Sequence, residues 1–583
     1  MPARRVRRPE TPPPPSSSPE KTTWAPTLVV VAVVLAASLA GIGNELVQDD
    51  FSLLVESERL HGLGGWRELL TNPYWPPPHS PDLYRPLTSL LLALQYEVGS
   101  GNALIFRLTS YGLYAAAAVA VYQLGRKVLP SQSGIALAIA LGFAAHPVHV
   151  EAVALAVGQS ELLVALFGTP MVLWYLVRRR SDGGELGWKD WVLMVALYLA
   201  AGLSKEQGLV LPGLLIAAEL TLIKRAEPWS LRVRRLGAGY IVMAAAGVAM
   251  LLVRRSVLGE LAGTFTASAL QGLDHLGRAL TMLTVVPHWA RLFLWPVHLQ
   301  ADYSPTEIVA STGFGWSEAL GLALILSALA VAWVARRSAP VVSFGLIWMA
   351  VALFPVSNVI IPTGIVLAER TLFLPSVGFV ITVGGVLSIL ASKPLFTHAL
   401  RLASAGVVLV IVATLAVRSA DRHRDWRNDA VFRVRSAEDA PRSWRTQLSY
   451  ASHLFDLGSR GPALERYQRA LDLAPTSERW RVRNDLAEHH FAVEETAAAV
   501  EQLRASLAED PGQESTRHYL VLGLLALGRY QEAGAEADSA RVRGGSPAVF
   551  DELRVLADSA SRLGVPPGGI KIRVRPAAGG GGR

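Results

Sequence analysis

The chain is predicted to be all-α: a polytopic bundle of membrane helices followed by a short tetratricopeptide-repeat α-solenoid. Three observations carry that prediction. Of the 583 residues 51% are hydrophobic and only 17% charged, with a mean hydropathy of +0.33, outside the usual pattern of a soluble domain. The apolar residues gather into runs near the ~20-residue length that a bilayer demands. From about residue 440 those runs stop, and small and aromatic residues recur at helical-repeat spacing.

Composition also excludes some functions. The formal charge of +8 falls in Arg/Lys clusters between apolar runs, a pattern that sets membrane topology and does not indicate nucleic-acid binding. The chain has no cysteine, which rules out disulfides, thiolate metal sites and a cysteine nucleophile.

Residues 1–23 carry Arg4, Arg5, Arg7 and Arg8 in a Pro/Ser-rich context, and are expected to be a disordered cytoplasmic N-terminus. The run 25–43 reads as a retained anchor that delivers Asp49 and Asp50 to the outer face. Carboxylates cost roughly 2.5–3.5 kcal/mol at a bilayer centre, so an acidic pair at the rim either caps and solubilises a helix end or acts on something. An outer loop over 44–102 follows, punctuated by Asn72-Pro73-Tyr74-Trp75-Pro76-Pro77-Pro78, whose rings suit the headgroup level, and by Tyr84-Arg85-Pro86-Leu87.

Further spans are expected at 103–124, 133–148, 160–177, 190–204, 209–223 and 236–253. The clusters Arg126/Lys127, Arg178 to Arg180, Lys224/Arg225 and Arg234/Arg235 fall on the retained side between them. The opposite turns are polar: His146-Pro147-Val148-His149-Val150-Glu151, Gln159-Ser160-Glu161 and Ser204-Lys205-Glu206-Gln207. Imidazoles and a carboxylate suit zinc, but His146, His149 and Glu151 lack the helical His-Glu-x-x-His spacing. Lys205 and Glu206 either neutralise one another at a span boundary or contact substrate.

The segment 275–297 is apolar yet holds Arg278, Pro287, His288 and Arg291; charge parity across the later spans makes it a broken or surface-lying element that does not fully cross. It leaves Asp302 on the outer side. Spans at 317–335, 341–357, 371–391 and 398–417 bring the total to about eleven by length. An odd total puts the C-terminal region outside. Glu369 and Arg370, at the entrance to the span 371–391, make either a structural ion pair or a phosphate-binding fork oriented by the glutamate.

Residues 421–440 read as a linker and 441–565 as repeats: Ala463, Tyr467, Ala470 and Pro475 in the first, Ala499, Leu503 and Pro511 in the second, Leu524, Gly528, Tyr530, Ala533 and Ala540 in the third. The Gly-rich end, within 566–583, is expected to be disordered.

Taken in order, Asp49-Asp50, Tyr84-Arg85-Pro86-Leu87, the His146 to Val153 stretch, Ser204-Lys205-Glu206-Gln207-Gly208, Ala301-Asp302-Tyr303-Ser304, Ala368-Glu369-Arg370-Thr371-Leu372-Phe373-Leu374-Pro375 and the repeats make a chain that resembles the transmembrane and tetratricopeptide-repeat protein O-mannosyltransferases. The resemblance covers most of residues 24–565 and implies a GT-C-like membrane domain over 24–420. Phe373 departs from it, standing where an aromatic hydroxyl is often found; the repeat array is short and the Ala/Arg/Gly/Pro-rich composition points to a bacterial-type member.

The resemblance implies transfer of mannose or a similar hexose from a polyprenyl-phosphate donor to a protein Ser/Thr hydroxyl on the non-cytoplasmic face, with inversion and no obligatory metal or other cofactor. Such chemistry needs a carboxylate to take the acceptor proton and cations to steady the departing phosphate. Asp50, with Asp49 beside it, is expected to supply the first; Arg370, Lys205 and Arg85 the second. Glu369, Glu206, His146, His149, Glu151, Glu161 and Asp302 are expected in support. The expected partners are the lipid-linked sugar, a protein or peptide acceptor held by the repeats, and the bilayer of a bacterial inner membrane, with the repeats in the periplasm and no nucleic acid. Two other classes stay open: a lipid-linked oligosaccharide polymerase or ligase, and a non-catalytic scaffold that presents the repeats.

Overall fold

The computed structural model describes residues 24–77, 82–181, 184–224, 227–261, 266–303, 307–394 and 397–568. The expected disordered N-terminus, Arg225, Ser304, Pro78 and most of the C-terminal tail lie outside them. Every regular element among the described residues is helical.

Six helices are long and apolar enough to cross a membrane: Ala103–Val128, Gln159–Arg179, Trp229–Leu258, Trp316–Ser338, Glu369–Ala391 and His398–Trp426. A seventh crossing is made if Ser133–Ala145 and Pro147–Ala154, bent by 48° at His146, count as one. This is a multi-pass membrane protein. The expected total of about eleven is not reached, because the runs at 25–43, 190–204, 209–223 and 341–357 form the shorter helices Ala25–Ser38, Trp188–Ser204, Leu211–Thr221 and Pro340–Leu353. At 1.5 Å per residue a 14-residue helix such as Ala25–Ser38 covers about 21 Å of a ~30 Å hydrocarbon core. Hydropathy counts apolar residues without seeing where helical hydrogen bonding stops, and each run is interrupted or flanked by a 3-10 turn at Leu39–Gly41, Glu206–Val210 or Phe354–Val356.

The segment expected to be broken or surface-lying is not broken but forms one continuous helix, His275–Leu294, with Pro287 inside and Asp274 capping its start through Gly277 N. It is not among the apolar membrane-length helices. Helix ends elsewhere follow local chemistry. Asn102 and Thr397 cap with their side chains, and Arg126, Lys127, Arg178, Arg179, Arg336 and Arg337 occupy last turns, where a cation meets the negative end of the helix dipole. Arg180 Nη1 donates to Lys127 O at 2.5 Å, so two of the basic clusters meet at one end of the bundle.

Most of the apolar stretch of Gln159–Arg179 is buried and almost none of that of His398–Trp426, which places the first inside the bundle and the second at its edge with Leu402, Leu409, Val410 and Val417 facing outward. The bundle core includes Tyr114, Phe143, Tyr175, Trp348 and Phe373. The loop over 44–102 is packed, not a tether: Leu53, Leu54, Leu60, Leu69, Tyr74 and Leu92 form a second core with Phe106 and Trp426. The expected linker holds the helix Asp429–Asp439, and Phe432 joins that same core.

C-terminal to it stand short paired helices: Trp444–Asp456 with Arg460–Leu473, Arg479–Ala492 with Thr496–Glu509, Glu514–Ala526 with Tyr530–Val542, and then Pro547–Leu563. Ala463, Ala499 and Ala533 are each completely buried at equivalent positions, where a larger side chain would hold the paired helices apart. Gly458 and Gly528 make the turns within two of the pairs at φ of +76° and +73°, a region in which glycine has no Cβ to clash.

Candidate functional site

The two adjacent aspartates have different fates. Gln48 takes a left-handed conformation, φ +53°, immediately before them, and turns the chain where the first helix has ended. Asp50 then points inward and is fully buried, accepting hydrogen bonds from Ala156 N at 2.8 Å and Val157 N at 2.9 Å. Burial pushes its carboxyl up to about 6, although Arg107 and both amides pull the other way. Arg107 Nη2 lies 3.7 Å from it and also donates to Glu45 O at 2.5 Å, tying the loop to the bundle. The turn that presents these amides needs Gly158, where a Cβ would stand 2.4 Å from Ala152 O.

Asp49 points the other way. Its Oδ2 meets Arg370 Nη1 at 3.1 Å, with 28% and 18% of the two side chains exposed. Arg370 is fixed from behind by Glu151, which accepts from Arg370 N at 2.9 Å and lies 3.6 Å from Nε. Among the described residues these are the two carboxylates within ion-pair distance of Arg370.

Glu369, although next in sequence, faces elsewhere. Its Oε1 accepts from Gln300 N at 2.6 Å and from Tyr303 Oη at 2.9 Å. Asp302 accepts from Ser443 Oγ at 2.7 Å, and Gln300 Nε2 donates to Asp439 O at 3.0 Å, so this loop clamps the start of the paired helices to the bundle.

Lys205 and Glu206 do not neutralise one another. Lys205 has extended backbone, φ −162° and ψ 147°, and successive side chains of an extended chain diverge. Lys205 Nζ pairs with the buried Glu161, whose Oε2 has no hydrogen-bond partner among the described residues. Glu206 instead takes Arg85 at 2.9 Å and Arg254 at 2.8 Å. Burial raises the Glu206 carboxyl, but the two guanidinium groups outweigh it and hold it at about 2. Gly208 permits the turn, since a Cβ there would lie 2.5 Å from backbone atoms of Ala201 and Gly202. The positive charges of Arg85 and Arg370 both act on Lys205, so the three expected cations converge.

His146 and His149 brace the bend. His149 bonds Tyr114 Oη at 2.9 Å and Ser376 Oγ at 2.8 Å, and His146 bonds Phe293 O at 3.1 Å. Among the described residues no His/Asp/Glu group has an arrangement that would hold a metal ion. Phe373 packs its ring against Tyr114, Phe143 and His149 in the bundle core.

Arg107 and Arg254 are site-shaping residues that the sequence analysis passed over. Arg107 lies inside an apolar run, where its cost alone marks it as paired or functional, and Arg254 lies just past the end of one, within the same helix.

A partly exposed carboxylate, an oriented guanidinium and two further cations thus belong to one group of side chains. Protein O-mannosyl-transferase TMTC3 of Mus musculus is 28% identical over 417 residues, covering 66% of this chain and 44% of its own. A protein O-mannosyl-transferase of Caenorhabditis elegans is 24% identical over 449 residues, covering 76% and 61%. Protein O-mannosyl-transferase TMTC4 of Mus musculus is 26% identical over 480 residues, covering 73% and 63%. The chain is a distant homologue of protein O-mannosyl-transferases. No family model matches it. The matched region spans less than two thirds of the length of these relatives.

Proposed function

We propose that this chain is an integral-membrane glycosyltransferase that moves mannose or a similar hexose from a polyprenyl-phosphate donor to a Ser/Thr hydroxyl of a protein on the non-cytoplasmic face. The observation that carries this reading is the partly exposed Asp49–Arg370 pair, backed by Glu151 and accompanied by Lys205 and Arg85. A lipid phosphate approaching Arg370 competes with Asp49 for the same guanidinium, and its binding frees the carboxylate next to the reacting centre. Asp49 then takes the proton of the acceptor hydroxyl as its oxygen attacks the anomeric carbon from the face opposite the phosphate. The carbon–oxygen bond to the phosphate breaks, its electron pair stays on the phosphate, and the three cations stabilise that charge.

Asp49, not Asp50, is the proposed base, because both Asp50 oxygens already accept backbone amides out of reach of solvent. The short apolar helices are proposed to complete the crossings in pairs with their neighbouring turns, which leaves the paired C-terminal helices, proposed as tetratricopeptide repeats that hold the acceptor, on the outer side. Purified protein in detergent, given a radiolabelled polyprenyl-phosphate mannose and Ser/Thr-containing peptides, should place the label on peptide. Label on glycan or lipid alone would reassign the chain to a polymerase or ligase, and no transfer by well-folded protein would favour a scaffold.

A further inference from the structure

Tyr74 lies in the Pro-rich stretch of the outer loop and is 1% exposed. Its backbone is held on both sides, N donating to Leu83 O at 2.7 Å and O accepting from Arg59 Nη2 at 3.0 Å. The ring meets the edge of Trp75 at 5.5 Å and lies beneath the Arg85 guanidinium, 5.3 Å from its centroid. The hydroxyl is buried, and among the described residues it has no hydrogen-bond partner. A phenylalanine would fill the same core without stranding an O–H, so packing alone does not account for a tyrosine.

The charges that act on this hydroxyl are those of Arg85, Asp50, Asp49 and Arg370. Its ring touches the first of the two charged clusters through Arg85, and its hydroxyl feels the charges of Asp49 and Arg370 in the second. The carboxylates near it are already engaged, Asp50 by two amides and Asp49 by Arg370. Burial holds the phenol above its ordinary value, which keeps it protonated and a donor. What is missing is an acceptor, and the Arg85 guanidinium over the ring favours an anionic one.

We propose that the Tyr74 hydroxyl donates a hydrogen bond to the phosphate of the lipid-linked donor, between Arg85 and Arg370. This rests on the reading that the donor phosphate binds at Arg370. Displacement of Asp49 from Arg370 is the opening step; Asp49 and Glu206 are the most exposed carboxylates of the two clusters, at 28% and 27% of their side chains.

The test uses the full-length protein in detergent, with binding of a short-chain polyprenyl phosphate and of the matching polyprenol measured for wild type and Tyr74→Phe. A hydrogen bond to a charged group carries about a tenfold to hundredfold effect on affinity. Tyr74→Phe should weaken the phosphate probe by that factor, leave polyprenol binding unchanged, and melt no lower than wild type. Unchanged phosphate affinity in the variant, with or without a lower melting temperature, would overturn the assignment and leave Tyr74 a packing residue. Failure of the donor-site reading looks different: wild type itself would bind phosphate and polyprenol equally, and the Tyr74 assignment would fall with it.

Discussion

The guanidinium of Arg370 reaches the carboxylate of Asp49 at 3.1 Å across 321 residues of sequence, joining the end of the first helix to the entrance of a helix near the end of the bundle. That closure makes the site a property of the whole membrane domain.

The two aspartates should separate experimentally. Asp49→Asn keeps size and removes the basic oxygen, and should lower turnover by about 10²–10⁴ with donor binding and melting temperature retained. Asp50→Asn places an amide against two backbone donors and leaves Arg107 facing a neutral group; it should cost about 1–3 kcal/mol in thermal stability. Transfer assays and melting curves on both variants check this. A stable Asp50→Asn protein without turnover, beside an active Asp49→Asn, would hand the base role back to Asp50.

Arg370 should tolerate lysine better than alanine. Lysine keeps the charge and loses the two-pronged fork, so Arg370→Lys should retain partial activity with a raised KM for donor. Arg370→Ala leaves Asp49 and Glu151 without their cation and should be nearly inactive. Equal donor affinity in wild type and a correctly inserted alanine variant would remove the phosphate role.

Glu206 should make the fold sensitive to acid. Its folded pKa of about 2 lies below the ordinary 4.5, so the ionised carboxylate contributes stability above about pH 4.5 that is lost as pH falls toward 2. At neutral pH the contribution is on the order of 3 kcal/mol. Wild type should therefore melt above Glu206→Gln at pH 7, and the gap should close between pH 4.5 and 2. A gap independent of pH would mean that the pairs with Arg85 and Arg254 add nothing through charge.

Topology can be read directly. A reporter active only in the cytoplasm, fused after residue 440, should be silent, and one active only outside should be on. The reverse would mean an even number of crossings, with His275–Leu294 or one of the short helices changing its role.

The sequence by itself determined the class of this protein. Apolar runs near bilayer length, basic clusters between them and small residues at repeat spacing depend only on local composition, and the all-helical bundle and paired C-terminal helices follow from them. It also pointed to Asp49, Arg370, Lys205 and Arg85 as polar residues out of place in an apolar chain. Tertiary structure decided how charges pair and where helices stop. Adjacency in sequence did not make partners: Lys205 beside Glu206, Arg370 beside Glu369 and, as expected of two neighbouring aspartates, Asp49 beside Asp50 diverge, because extended or turning backbone sends consecutive side chains to different neighbours. The partners come instead from far along the chain, Glu161 for Lys205, Arg85 and Arg254 for Glu206, and Glu151 for Arg370, since a buried charge is stable only where the packed bundle brings it a counter-charge or a backbone donor.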